Sequence, residues 1–296
     1  MRHNIALLGH GYWGKIVEKA IVLNPHFDLV SLYSPRLTKE GIRTNDLESV
    51  WKDPSIECVY IATPLSTHFI LAKTALESGK HVLCEKPLTP HPEEAQQLSS
   101  LARERRLILE TNYIYNQSLG VKKFIELLPK IGRIQHLTLL LRQWGRFYPE
   151  SVYHVLASHL LSVLDMVRPI DGIEFHFHNL ITNSEGLCET GRMDFKSGEI
   201  SGEIFVSLNS GERSRKFQAY GDIGFLTFDP GRKETVVLQK LARQASAGIE
   251  GEKESYEFDE TNNLSIVLNR FSSLVEGNGS DNQDMAIRIG RVLAGK

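Results

Sequence analysis

The sequence is poor in the residues that would build a disulfide framework, a metal site or a membrane segment. Its three cysteines, Cys58, Cys84 and Cys188, lie far apart and outside any CxxC or Cys/His cluster. This spacing predicts reduced thiols and no bound metal. The first apolar run, at residues 5–8, is too short for a secretion signal or a membrane span. We therefore expect a cytoplasmic protein with no membrane partner.

Neither sign of charge dominates the chain. The formal net charge is -2 at pH 7, so no general attraction for nucleic acid is expected. With 296 residues, of which 41% are hydrophobic, the chain can bury the cores of two domains. A small molecule is the predicted partner, and no nucleic-acid partner is expected.

Apolar segments alternate between strand and helix periodicity up to about residue 112. Strands are predicted at 5–8, 27–33, 58–62, 81–84 and 107–111, with helices at 15–23, 68–78 and 92–105. Because each helix must cross over the sheet to reach the next strand, this alternation predicts a doubly wound parallel sheet of the α/β class. Residues 1–112 are assigned to this first domain.

The rhythm changes near residue 113. Helices are predicted at 120–128 and 151–166, and strands at 133–144, 173–181, 187–195, 199–208, 214–220 and 225–228, before two last helices at 264–274 and 283–293. Consecutive strands separated by Asn, Gly and Asp turns predict an α+β domain with a large, mainly antiparallel sheet. We assign residues 113–296 to substrate binding and oligomerisation, with the last helix free to pack back on the first domain. Apolar alternation over residues 198–208 predicts an intersubunit sheet face, hence a homodimer or homotetramer.

A glycine-rich turn joins the first predicted strand to the first helix. Gly9, Gly11 and Gly14 form a GxGxxG pattern that also contains Tyr12 and Trp13. In this context the glycines allow a tight turn, a close approach to a pyrophosphate and tight helix packing, while free N–H groups at the helix start attract the anion. The alternative is an ordinary glycine-rich turn. The context favours a dinucleotide site that includes all five of these residues.

The end of the second strand bears on the choice between NAD and NADP. NAD-selective sites usually carry Asp or Glu there, whereas this chain has Ser34 and Arg36. A hydroxyl and a guanidinium suit a 2′-phosphate, so NADP is favoured over NAD. The alternative is that Arg36 is only a solvated loop charge.

Three further segments follow predicted strands and so reach the edge where ligands bind in open α/β sheets. The cofactor-binding candidates they contain are Thr63, Pro64, His68, Glu85, Lys86 and Asn112, and Tyr113 is a substrate-binding candidate. Since Pro87 restricts Lys86 to extended geometry, we expect the ammonium group to face the crevice, where it could stabilise developing negative charge. The competing interpretations are a capping or packing role for His68 and a solvated Lys86.

These motifs resemble those of the Gfo/Idh/MocA family, named after glucose-fructose oxidoreductase, inositol dehydrogenase and a rhizopine-catabolism protein. The resemblance rests on the glycine turn, on Tyr60-Ile61-Ala62-Thr63-Pro64 with His68, and on Gly79-Lys80-His81-Val82-Leu83-Cys84-Glu85-Lys86-Pro87-Leu88. It implies a Rossmann domain joined to an open-faced sheet, bound NAD(P), and sugars, inositols or nucleotide sugars as substrates. It also implies that Lys86 is the substrate-side lysine and that Glu85 and Asn112 lie near the nicotinamide ribose.

The chain departs from the family pattern in the second domain. Members commonly carry Asp-x-x-x-His at a helix start; here His159 occupies the histidine position and Val155 the aspartate position. The resemblance implies that His159 exchanges a proton with the substrate hydroxyl, which suits an imidazole. His154 or Tyr153 could replace the missing carboxylate, although each residue of an α-helix is turned about 100 degrees from the next. His154 and His159, with Lys86 and Tyr113, are the substrate-binding candidates.

The leading hypothesis is an oxidoreductase that moves a hydride between nicotinamide and a hydroxyl or carbonyl carbon, with Lys86 and His159 as catalytic residues. Because Val155 replaces the expected aspartate, two alternatives stay open. One is reduction of a non-sugar acceptor, such as a linear tetrapyrrole in the manner of biliverdin reductase. The other is a non-catalytic dinucleotide-binding sensor or scaffold.

Overall fold

The computed structural model describes residues 2–145, 149–244 and 247–295, with the backbone alone at 242–244 and 247–250. The chain separates into two compact units: Met1–Ile114 with Asn262–Gly295, and Tyr115–Thr261. In chain order the elements are β1 (His3–Leu8), α1 (Tyr12–Leu23), β2 (Phe27–Tyr33), β3 (Arg43–Thr44), α2 (Leu47–Lys52), β4 (Cys58–Ile61), α3 (His68–Glu77), β5 (His81–Glu85), α4 (Pro92–Arg105), β6 (Leu109–Asn112), α5 (Leu119–Leu127), β7 (Ile134–Trp144), α6 (Ser158–Val167), β8 (Glu174–Thr182), β9 (Cys188–Ser197), β10 (Ile200–Ser207), β11 (Asn209–Gly221), β12 (Gly224–Phe228), β13 (Val236–Gln244), β14 (Ala247–Tyr256), α7 (Asn263–Val275) and α8 (Gln283–Ala294).

The first unit contains a six-stranded sheet in the order β3-β2-β1-β4-β5-β6, and every pair in it is parallel. This confirms the predicted doubly wound parallel sheet. Apolar side chains of α1 and α7 share one core cluster with β1, β2, β4 and β5, while α3 packs on β4 and β5 and also against α4. The sequence interpretation missed β3 and α2. A strand of two residues such as β3 has no measurable periodicity.

The C-terminal segment from Asn262 to Gly295 lies with the first unit, whereas the sequence interpretation counted it in the second domain and let only its last helix return. Leu268 and Phe271 of α7 are buried in the core of the parallel sheet. Beyond α7, Asn282 pairs with the backbone of Thr111 in β6 through both its side-chain atoms, at 2.8 and 2.7 Å. An amphipathic pattern shows that a helix buries one face, but not which sheet covers it.

Glu110 ties both C-terminal helices to strand β6. Its two carboxylate oxygens accept hydrogen bonds from Arg270 Nε and from the backbone N–H of Asn282, each at 2.9 Å. Burial raises the pKa of Glu110 to about 7 although Arg270 opposes that change. This pair, in which Glu110 is buried and the Arg270 side chain is 32% exposed, joins residues 160 positions apart.

The second unit contains an eight-stranded sheet in the order β14-β13-β12-β11-β7-β10-β9-β8. All of its pairs are antiparallel except that of β7 with β10, which agrees with the predicted mainly antiparallel, open-faced sheet. Helices α5 and α6 pack against one face. Along β11, Phe217 and Ala219 are buried on that face, while Lys216 and Gln218 alternate onto the other. The sequence interpretation missed β13 and β14. The Gly- and Glu-rich sequence of β14 has no apolar alternation that would predict a strand.

Two observations concern the described residues as a whole. None of their helices is long and apolar enough to span a membrane, and none of their His, Cys, Asp and Glu side chains cluster as a metal site would require. Cys58, Cys84 and Cys188 are buried and form no disulfide. Burial raises the pKa of the Cys58 and Cys84 thiols, so these two residues act as small core side chains.

Candidate active site

The glycine turn that follows β1 has the geometry of a phosphate cradle. Gly9 has φ +102°, and a Cβ there would collide with the carbonyl oxygen of Ala62. A Cβ at Gly14 would collide with the carbonyl oxygen of Gly9, so the start of α1 packs directly on the turn. By contrast, a Cβ at Gly11 would meet no atom within 4 Å. The turn is therefore closed on the protein side and open where a pyrophosphate would approach the helix start, which fits a dinucleotide.

The remaining cofactor candidates emerge at the same edge of the sheet, because all six strands are parallel. Ser34 follows β2, Thr63 and Pro64 follow β4, and Glu85 ends β5. Pro64 precedes a short 3-10 helix, Leu65–Thr67, and the hydroxyl of Thr67 donates to Thr63 Oγ1 at 2.7 Å. Tyr12 begins α1 with 64% of its side chain exposed. The structure thus gathers the predicted residues along one edge.

The segment after β2 forms a tight turn that presents Arg36 to solvent. The N–H of Ser34 donates to Thr44 O at 3.1 Å, and the N–H of Leu37 donates to Ser34 O at 3.0 Å. Arg36 lies within this turn, is exposed, and forms no ion pair with any residue that the structure describes. Its guanidinium is accordingly available to an anionic ligand.

A polar group that the sequence interpretation missed lies beside the glycine turn. His10 Nε2 lies 2.8 Å from Glu18 Oε2, and Arg43 Nη2 lies 3.5 Å from the other oxygen of the same carboxylate. Strand β3, which carries Arg43, pairs with the end of β2. The charge of Glu18 is therefore matched by basic side chains from the turn and from the edge strand. Only tertiary pairing of β3 brings Arg43 there.

A hydrogen-bond network centred on Glu85 joins the glycine turn to the Glu85-Lys86-Pro87 segment. One carboxylate oxygen, Oε1, accepts from Trp13 Nε1 at 2.6 Å, from Tyr60 OH at 2.7 Å and from Asn112 Nδ2 at 2.8 Å. Asn112 Nδ2 also lies 2.9 Å from Tyr60 OH. Side chains from α1, β4 and β6 thus donate to one oxygen atom of a residue in β5, and the carboxylate is fixed in direction.

This Glu85 network leaves the second oxygen of the carboxylate for a ligand. Tyr60 and Asn112 are buried, whereas Glu85 is half-buried and its Oε2 has no hydrogen-bond partner in the described part of the chain. Burial, and then the charge of Glu85, raise the pKa of Tyr60, so its hydroxyl stays protonated and donating. The sequence predicts no separate role for Tyr60, which belongs to the segment Tyr60-Ile61-Ala62-Thr63-Pro64. The signal that could have revealed its role is a polar side chain in an otherwise apolar buried strand.

His68 is placed where it shapes two loops. The side chain is 2% exposed, with Nε2 3.0 Å from Thr63 O and Nδ1 3.0 Å from Pro87 O. Burial lowers the pKa of His68, against the effect of these two carbonyls. Because both ring nitrogens face backbone carbonyls, His68 positions the loops that carry Thr63 and Lys86. The prediction that His68 itself touches the cofactor is therefore replaced by a positioning role.

Lys86 and Tyr113 differ in how far they are exposed to solvent. Lys86 directly follows β5, is half-buried, and is joined to Pro87 by a cis peptide bond. Tyr113 is only 2% exposed. The substrate-binding role of Tyr113 stays a prediction.

In the second unit His159 lies in the first turn of α6, and that helix is preceded by a π-helical turn, Tyr153–Ala157. The N–H of Ser158 reaches back to Tyr153 O, five residues earlier. The helix predicted over 151–166 is therefore observed as a π-helical turn followed by α6.

Tyr153 is excluded as a replacement for the missing aspartate. Its hydroxyl donates to His178 O at 2.9 Å, its ring is 1% exposed, and it packs edge-on against Phe177. His154 and His159 are half-buried. The ring of His159 contacts Tyr115 edge-on, with 5.3 Å between the ring centroids. Of the two upstream candidates, His154 is therefore the one that stays a predicted substrate contact.

Residues 3–113 match the family model GFO_IDH_MocA, described as an oxidoreductase family with an NAD-binding Rossmann fold. Among curated proteins, the levoglucosan dehydrogenase of Pseudarthrobacter phenanthrenivorans is 32% identical over 151 residues, which are 44% of this chain and 38% of that protein. The 1,5-anhydro-D-fructose reductase of Ensifer adhaerens is 26% identical over 82% of this chain and 77% of its own length. The chain thus aligns with less than two fifths of the first relative and about three quarters of the second.

Among solved structures, a 3-ketoreductase from Actinomadura kijaniata, in complex with NADP and TDP-benzene, has the same fold. The TM-score is 0.84, and the match covers 99% of this chain and 96% of that one. The sequences are 15% identical, so the likeness concerns the fold alone. The match extends over both units of the chain, including the large sheet.

Proposed function

We propose that this chain transfers a hydride between NAD(P) and a substrate, because residues 3–113 match the model of the Gfo/Idh/MocA family of NAD-binding oxidoreductases. The substrate carbon carries a hydroxyl or carbonyl group, and the substrate is a sugar, a nucleotide sugar or a related polyol. The observation that carries this proposal is the open cradle at Gly11, connected through Trp13 to the oriented carboxylate of Glu85. Two relatives named for sugar-derived substrates support the substrate class.

The first unit has the donors that a dinucleotide requires. The N–H groups at the start of α1 face the opening at Gly11, where the pyrophosphate would be held. Thr63 and Pro64 would border the adenosine side, and the free oxygen of Glu85 would accept from a ribose hydroxyl together with Asn112. When bound, the nicotinamide supplies the chemistry by accepting or releasing the hydride at its C4 carbon. The protein supplies position and charge.

Lys86 and His159 have distinct roles in the proposed reaction. The ammonium group of Lys86 stabilises the negative charge that develops on the substrate oxygen. His159 accepts the hydroxyl proton during oxidation and returns a proton to the oxygen during reduction. His154 assists in binding the substrate, since it is half-buried next to Val155, whereas the hydroxyl of Tyr153 is bonded to a backbone carbonyl.

NADP is the preferred cofactor in this proposal. Arg36 is exposed in a tight turn after β2. That turn lacks the Asp or Glu that NAD-selective sites usually carry. A guanidinium with no carboxylate partner among the described residues matches the oxygens of a 2′-phosphate.

We also propose that the protein assembles as a homo-oligomer through the face of the large sheet that α5 and α6 leave uncovered. Leu140, Phe205 and Phe225 lie on that face and remain half-exposed in the single chain. Burying their apolar area in an interface would be favourable.

The test measures cofactor binding first and turnover second. Fluorescence titration with NADPH and NADH establishes binding, and a panel of sugars, nucleotide sugars and their keto forms establishes turnover. Lys86→Ala and His159→Ala are expected to keep cofactor binding and to lower kcat/KM at least a hundredfold. Lys196→Ala and His176→Ala, exposed positions in β9 and β8, are the matched controls and should leave both properties unchanged. Binding without turnover of any substrate would favour the sensor, and no binding at all would refute the proposal.

A further inference from the structure

We infer that the substrate carries an anionic group, a carboxylate or a phosphate, and that Arg215 binds it beside His159. This inference rests on the proposed function, in which His159 exchanges the substrate proton. The observation that carries it is the packing of both side chains against a single buried tyrosine, Tyr115.

Tyr115 is the common contact. It is 5% exposed, and the ring of His159 meets it edge-on with 5.3 Å between centroids. The guanidinium carbon of Arg215 lies 5.8 Å from the centre of the same ring. Phe217 holds the ring from a further side, edge-on at 5.8 Å. The imidazole and the guanidinium thus both pack against the same tyrosine ring.

The strand position explains why Arg215 faces this way. Arg215 pairs with Leu141 across β11 and β7, and it shares strand parity with the buried residues Phe217 and Ala219. Its side chain therefore starts on the helix-covered face of the sheet, the face that carries His159, while its neighbour Lys216 starts on the opposite face. Arg215 is half-buried there, so its charge is partly removed from water.

Arg215 has an aromatic contact but no carboxylate partner. Among the residues that the structure describes, it forms no ion pair. A guanidinium packed on an aromatic ring keeps its N–H donors for a further group, and its planar fork matches the oxygens of a carboxylate or phosphate. A half-buried arginine in this state lacks the negative charge that would normally accompany it.

The surrounding charges leave room for that negative group. Arg213 is close enough, with Arg215, to oppose the rise in the pKa of Tyr115 that burial causes. The carboxylate of Glu260, which favours the rise in the pKa of Tyr115, accepts the N–H of Gly120 at 3.0 Å at the start of α5. Glu212, on the same strand, is paired with Arg142. Arg215 itself forms no ion pair with a described residue, and an anionic substrate group would supply that partner.

The experiment measures binding of three ligands that share one sugar ring: glucose, glucuronate and glucose 6-phosphate. Each is titrated by calorimetry into the protein saturated with NADPH, which cannot accept a hydride from the sugar. At least one anionic ligand is expected to bind tenfold or more tightly than glucose. Arg215→Gln should weaken that anion roughly 10- to 100-fold and leave glucose unchanged, because a charge-assisted pair is lost. The ligand that loses more affinity identifies a carboxylate or a phosphate site.

Two further variants make the result decisive. Lys216→Gln removes the same charge from the opposite face of β11 and should leave all three affinities unchanged. Arg215→Lys keeps the charge but not the fork, and should retain part of the anion preference. Equal binding of anions and glucose, absence of any anion binding, or an equal loss for all ligands in Arg215→Gln would overturn the inference. Since binding is measured without turnover, failure of hydride transfer would be seen separately.

Discussion

Replacing Glu85 with alanine tests whether one carboxylate oxygen holds the cofactor half of the site together. The side chain accepts from Trp13, Tyr60 and Asn112, so the change removes three hydrogen bonds to a charged group. Each such bond contributes about 1.5–3 kcal/mol. Part of this is recovered, because Tyr60 and Asn112 stay paired at 2.9 Å and the half-buried Trp13 can turn to water. We expect the free energy of unfolding of the first unit to fall by about 2–4 kcal/mol.

Glu85→Gln removes the negative charge of the side chain but keeps an oxygen atom that can accept hydrogen bonds. The amide oxygen can accept the same three hydrogen bonds, so the loss of stability should be roughly 1 kcal/mol. Its N–H₂ group would then occupy the direction of the free oxygen, and we expect NADPH affinity to fall while the fold is kept. Glu104→Ala is the matched control, since Glu104 is exposed on α4 and should change stability by no more than about 0.5 kcal/mol.

Urea unfolding without cofactor, followed by tryptophan fluorescence, suits this comparison because Trp13 and Trp51 both lie in the first unit. Circular dichroism follows the whole chain in parallel. Equal destabilisation by alanine and glutamine, or a change in Glu85→Ala no larger than in Glu104→Ala, would refute the assigned geometry. In that case the carboxylate would be a solvated group and not the centre of a network.

Three further outcomes are expected. Arg36→Ala should weaken NADPH binding at least about tenfold and leave NADH unchanged in fluorescence titration, because only NADPH carries the 2′-phosphate; equal effects on both cofactors would contradict the NADP preference. Glu110 has its pKa raised from 4.5 to about 7, so the folded state holds the extra proton in that window and stability should fall as pH rises through it. Glu110→Gln should flatten that dependence in thermal unfolding curves, and an unchanged slope would assign it to other groups. Sedimentation equilibrium should show a homodimer or homotetramer; a monomer at micromolar concentration would exclude assembly through the large sheet.

Local sequence patterns were sufficient to predict much of the secondary structure of the first unit. The strand from Phe27 to Tyr33 and the helix from Pro92 to Arg105 have the bounds that periodicity and flanking residues predicted, since each depends on its own segment. The glycine turn was equally readable, because Gly9 and Gly14 are required by contacts within one strand-turn-helix unit. The departure at Val155 could be seen but not interpreted, since the sequence contains no sign of the π-helical turn beside it.

The amino-acid sequence by itself determined the classes of most elements, the phosphate cradle and the lysine that follows β5, because each is specified by neighbours in the chain. Tertiary structure alone decided that α7 covers the parallel sheet, that Tyr60 and Trp13 share the oxygen of Glu85, and that Arg215 meets Tyr115 beside His159. These contacts join residues tens to hundreds of positions apart. Their partners are selected by strand order and burial in the folded chain, which local sequence does not encode.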